Sequence, residues 1–134
     1  MTITRSIDIE DTIRQILSDQ SITAYCRPLP DNFAMPSILV TATGGTQEET
    51  WANGGKVDQF AVVLDSRAES DGESLEYLRN ALAILKSAVS SQTTKVSNIT
   101  ISTMYSWGSD PVRPNIAMCS ASIRCSAHME TVTI

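Results

Sequence analysis

The 134-residue chain holds one histidine, His128, and three cysteines, Cys26, Cys119 and Cys125. A lone imidazole six residues from the C-terminus is a poor platform for a Ser/His or Cys/His nucleophile pair, so His128 reads as a solvated residue beyond the last strand. An odd cysteine count without metal-ligand spacing suits free thiols in a reducing compartment. Cys119 and Cys125 lie too far apart along one strand face to bridge, roughly 20 Å at strand rise, and read as small core residues. No two Lys or Arg are adjacent and no basic stripe can be drawn, which argues against tight neutralisation of nucleic-acid phosphates. The longest apolar runs, Phe60 to Leu64 and Ala81 to Leu85, are five residues each, far short of the ~20 a spanning helix needs. The start, Met-Thr-Ile-Thr-Arg, turns acidic at Asp8 with no apolar stretch of the kind a secretory leader carries, so none is expected.

What is present is ordinary globular material: 42% hydrophobic and 19% charged residues, enough for one domain with its own core. The net charge of −5 is unevenly spread, residues 1–86 carrying seven basic and thirteen acidic side chains and residues 87–134 three and two. Segment 8–20 spaces Ile9, Ile13, Ile16 and Leu17 for a helix face, with Asp8, Glu10 and Asp11 suited to the positive end of its dipole. Ile22 to Arg27 reads as a strand, and Pro28, Pro30 and Pro36 then impose an extended loop. Ser37 to Thr43 is the next predicted strand, closed by Gly44-Gly45, and Lys56 to Asp65 the third, alternating Phe60, Val62 and Leu64 against Ala61, Val63 and Asp65.

Ser70-Asp71-Gly72-Glu73 has the spacing of a capping box and predicts a helix to about residue 89. Its apolar stripe, Leu75, Leu78, Leu82, Leu85 and Val89, is built to lie on a sheet. Two strands follow: residues 97–107, with Ile99, Ile101, Thr103, Tyr105 and Trp107 on one face, and residues 115–127, with Ala117, Cys119, Ala121, Ile123 and Cys125 on one face. Gly108 to Pro114 joins them as a hairpin. The order helix, three strands, helix, two strands predicts an α+β domain over 1–134, a five-stranded mainly antiparallel sheet with two helices packed on one face. Seventeen Ser and fourteen Thr fall heavily on outward strand positions, so the other face is polar but hardly charged: either a surface cheap to desolvate or the ordinary wet face of an antiparallel sheet.

The sequence offers no catalytic, cofactor-binding or metal-ligating constellation. The acidic clusters Asp8-Glu10-Asp11 and Glu69-Asp71-Glu73-Glu76 sit at predicted helix starts, where capping and the dipole account for them. Between Gly44-Gly45 and the turn signal Asn53-Gly54-Gly55 runs a polar ten-residue segment, Thr46 to Gly55, expected to be a mobile excursion between two strands, but neither glycine pair precedes a Lys-Ser/Thr or opens a helix, so no phosphate cradle is predicted. Trp51, a large ring among polar neighbours including Glu49 and Asn53, is either folded on the core or an anchor for a partner. Trp107 and Val112 at the final hairpin pose the same choice.

The pattern resembles the tail terminator, or tail completion, proteins of long-tailed bacteriophages and the related neck proteins. The resemblance rests on the helix opening Ile-Glu-Asp-Thr-Ile-Arg, the approach Arg27-Pro28-Leu29-Pro30 and Met35-Pro36 to Ile38-Leu39-Val40, Gly44-Gly45, the strand Val57 to Asp65 and the helix Leu75 to Val89. It implies a virion structural protein without enzymatic activity or cofactor. Such a protein forms a homo-hexameric ring at the head-proximal end of the tail, ends tail-tube growth and offers a surface for head–tail joining. The implied partners are other copies of the chain, the tail tube protein and a neck or head-completion protein. DNA would only pass through the pore, no membrane would be involved, and the protein would be made in the host cytoplasm. The alternatives are a phage head–tail joining protein of similar fold and a small α+β ligand-binding or enzymatic domain.

Overall fold

The computed structural model describes residues 1–49, 56–91 and 95–134, without the side chains of residues 46–49, 56 and 104. Asp8 caps the first helix, α1 (Ile9–Asp19), its carboxylate accepting the Asp11 N–H at 3.1 Å. The apolar face Ile9, Ile13 and Leu17 is buried. After a short strand β2 (Ala24–Cys26), residues 27–36 carry two cis prolines, Pro28 and Pro36, and lead into β3 (Ser37–Glu49). β3 forms a hairpin with β4 (Lys56–Ala68). Ser70 caps α2 (Asp71–Ser90) by accepting the Glu73 N–H, and the buried Ser74 hydroxyl donates to the Ser66 carbonyl at 2.8 Å, fixing the helix start over β4. β5 (Val96–Ser109) and β6 (Ala117–His128) complete the main sheet.

The sheet has five strands in the order β2-β3-β4-β6-β5. β2 runs parallel to β3 and every other neighbouring pair is antiparallel. β4, α2 and β5 thus make a split β-α-β unit with β6 inserted antiparallel in the gap. The expected α+β architecture is the observed one. α2 lies against β4, β5 and β6, and α1 against β2, β3 and α2. The core is one layer deep: Ile38, Val40, Val62, Leu64, Ala121 and Ile123 from the sheet meet Ile13, Leu17, Leu78, Leu82 and Leu85 from the helices. Cys119 and Cys125 are buried there as expected, and burial pushes the Cys125 thiol up to about 11.

Four expectations are corrected. β3 does not stop at Thr43 but continues through both glycines to Glu49, opposite Lys56, so residues 46–49 are strand and not part of an excursion. Gly44-Gly45 marks a β-bulge inside the hairpin, where the register shifts between Ala42 and Gly44. The alternation predicted across 97–107 is broken by irregularities after Ile101 and Thr103, which carry Thr103 opposite Ser122 and away from the Ile101–Ile123 row. Finally, β6 is not the last strand. β1 (Thr2–Arg5) pairs antiparallel with β7 (Glu130–Thr133) as a separate two-stranded sheet, so His128 is the exposed last residue of β6 and not part of a trailing tail.

Candidate functional site

The sheet face turned away from the helices carries Leu39, Thr41, Ala61, Val63, Asp65, Ser120, Ser122, Arg124 and Ser126, all at least partly exposed. Asp65 and Ser120 share a short hydrogen bond across β4 and β6. At one end this face is closed by the β5–β6 turn, and the residue that holds the turn is Asp110. Its Oδ2 accepts from Arg67 Nε at 2.7 Å, while its Oδ1 accepts the Val112 and Arg113 N–H groups, each at 2.9 Å. Both partners of the ion pair are buried. Burial pushes the Asp110 carboxyl up, but the Arg67 guanidinium and the two N–H donors outweigh it and hold the group below its ordinary range. Arg113 ties the turn to the proline loop, donating to the Asp31 carbonyl and lying over the Phe33 ring at 5.2 Å.

β5 occupies the sheet edge beyond β6. Its fourteen residues include no charge and no proline. Native edge strands are ordinarily guarded against pairing by Lys, Pro, shortness or bulges, and of these devices β5 uses only the bulges. Trp107, at 51% exposure, stands near its end, and Val112, at 85%, follows in the turn. These two predicted contact residues thus fall at the same corner of the molecule, where the open edge meets the anchored turn. Glu49 ends β3 opposite Lys56. Trp51 and Asn53, with the remainder of the expected mobile loop from residue 50 to 55, lie outside the described residues.

Among the described residues no three His, Cys, Asp or Glu side chains converge as a metal site. A depression of about 270 Å³ between the last turns of α1 and α2 is lined by Ile16, Asp19, Ile84 and Ala88 among others. Its one carboxylate accepts from Gln15 at 2.8 Å. Two acidic residues have surroundings that the helix-start reading does not describe, although Glu10 does lie in the first turn of α1. Glu10 accepts the Ala42 N–H at 2.9 Å and pairs with Arg27 at 2.7 Å. Burial raises its carboxyl, and these two donors bring it below the ordinary range. Asp58, on β4, is almost fully buried. An acidic residue in a strand, on the row of Phe60, Val62 and Leu64, was the sequence signal that could have marked it.

No helix among the described residues is long and apolar enough to cross a membrane. Against known proteins, the chain matches no family model and no curated protein sequence.

Proposed function

We propose that the chain is a ring-forming structural subunit of a bacteriophage tail, a tail terminator that caps the tail tube and presents a surface to the neck. The observation that carries this reading is the uncharged, fourteen-residue edge strand β5 with Trp107 at its exposed end. On a lone monomer such an edge is a hazard; in a closed heterologous ring it is a joint, because each subunit meets the next through two different surfaces and no edge is left open. The open Ser/Thr face supports the same reading, since neutral hydroxyl groups lose less on leaving water than charges do. The net charge of −5 suits a channel wall that DNA slides past, because like charges do not adhere. An enzyme needs converging polar groups in a pocket; the cleft between the helix ends and the cleft beside the β3–β4 hairpin each carry a single carboxylate.

Light scattering of the purified chain over a range of concentrations, with and without tail tube protein, tests the proposal. A species near six times the subunit mass, formed alone or on tube ends, and tubes of limited length are the expected results. A chain that stays monomeric at every concentration and leaves tube growth unaltered overturns it. Binding to a head-completion protein without any effect on tubes identifies a head–tail joining protein instead.

A further inference from the structure

Asp58 faces the helix side of β4, is 4% exposed, and has no donor within reach of its buried Oδ2 among the described residues. A carboxylate withdrawn from water without a partner is strongly unfavourable, and the ion pairs formed among the described residues all go to other acids. Arg5 and Lys95 pair with Glu130, Arg14 with Asp11, Arg27 with Glu10, Arg67 with Asp110 and Arg79 with Glu76. Asp58 lines a cleft of about 440 Å³ between the entry to α1 and the β3–β4 hairpin, together with Ser6, Ile9, Ala42, Gly45 and Phe60. The bulge at Ala42/Gly44 shapes one wall. A side chain added at Gly44 would meet nothing within 4 Å, whereas Gly45 holds the two hairpin strands so close that a Cβ would lie 2.2 Å from the Gln59 carbonyl oxygen. The cleft is therefore open space with largely apolar walls and one buried carboxyl group whose Oδ2 lacks a donor among the described residues.

We propose that this cleft binds a primary ammonium on a short unbranched alkyl stem, the stem lying on Ile9, Ala42 and Phe60 and the ammonium on Asp58. The chemistry selects among cations. A divalent metal requires several oxygen ligands, and no such cluster exists among the described residues. A guanidinium makes its best contact with both oxygens of a carboxylate in a planar fork; with Oδ2 enclosed, Asp58 has a single oxygen to offer the cleft, which suits a single point donor. An ammonium is a compact point donor whose stem gains by apolar contact. The same group is presented by a lysine of a second copy of this chain or by a free alkylamine, and the site does not depend on the ring reading.

The test uses the full chain, isotope-labelled, titrated with n-butylammonium chloride and separately with sodium butyrate at equal ionic strength. Saturable shifts of the Ala42, Gly45, Asp58 and Phe60 amides are expected with butylammonium, with a midpoint on the order of millimolar for so small a ligand, and none with butyrate. Asp58→Asn, which keeps shape and removes charge, weakens binding at least about tenfold. Ala42→Leu fills the stem position without touching the carboxylate and does the same, so the outcome is readable even if the Asp58 variant does not fold. Sedimentation at rising protein concentration separates the sources: self-association that falls when butylammonium saturates the cleft identifies a lysine of another copy, and association that is unchanged identifies a free amine. Shifts that do not saturate, that are equal with butyrate, or that survive both folded variants overturn the proposal.

Discussion

Asp110 satisfies three donors with two oxygens, so the turn and the buried Arg67 both depend on it. Removing its charge leaves Arg67 buried, with Nη1 already lacking a partner. Asp110→Asn should therefore cost ~3–5 kcal/mol in urea melts at neutral pH. Its folded carboxyl lies below the ordinary value of 3.8, so on acidification the unfolded chain takes up the proton first. The stabilisation is complete above that ordinary value and drains away as pH falls through the lower folded one. The variant should show a shallower loss of stability below about pH 4 than the parent; parallel acid curves would remove the carboxylate from the account. None of this was legible in the sequence, because Asp110 meets Arg67 across 43 positions. Glu10 stands in the first turn of α1 as expected, but its second role was hidden for the same reason. Its partner, the Ala42 N–H, lies next to the β3 bulge, and a bulge has no helix-start signature.

At the scale of elements, periodicity carried most of the fold. The α2 stripe was readable because three- and four-residue steps leave one face, and Leu78, Leu82 and Leu85 are buried while Leu75 and Val89, nearer the ends, are half-covered. Leu82→Ala should cost ~2–5 kcal/mol, and a loss below about 0.5 kcal/mol in denaturant melts would contradict its 4% exposure. The Gly44-Gly45 pair misled, since glycine pairs commonly end strands, whereas here they let β3 cross a bulge. Gly44 has φ of +152°, a conformation L side chains rarely adopt, and Gly45 lies against the Gln59 carbonyl. Gly45→Ala should lower stability by ~1–3 kcal/mol, as overpacking does. A melting temperature equal to the parent's would mean that the hairpin spreads freely at this point. β1 and β7 were missed because four-residue strands whose partners lie at the opposite end of the chain leave no local pattern.

For the whole molecule, the candidate interface was half legible. Trp107 and Val112 drew notice as large apolar groups beside a turn, but no sequence pattern said that β5 would be an edge. That follows from the insertion of β6 between β4 and β5, a matter of strand order and not of local periodicity. If the edge is a joint between subunits, substitutions there must separate folding from assembly. Trp107 is half in solvent in the lone chain, so Trp107→Ala should change the melting temperature little, while burial against a neighbour makes a large aromatic a natural anchor whose truncation costs ~2 kcal/mol or more of association. Ser106 is exposed on the same strand, and Ser106→Lys installs the guard that native edges use and β5 lacks. Both variants should unfold like the parent in dilute solution yet shift assembly to higher concentration in light scattering, with tails of abnormal length or tails that fail to join heads. Should Trp107→Ala instead unfold the monomer, the ring belongs to the core and the edge loses its anchor. Should both variants assemble as the parent does, the joint lies on another surface of the sheet.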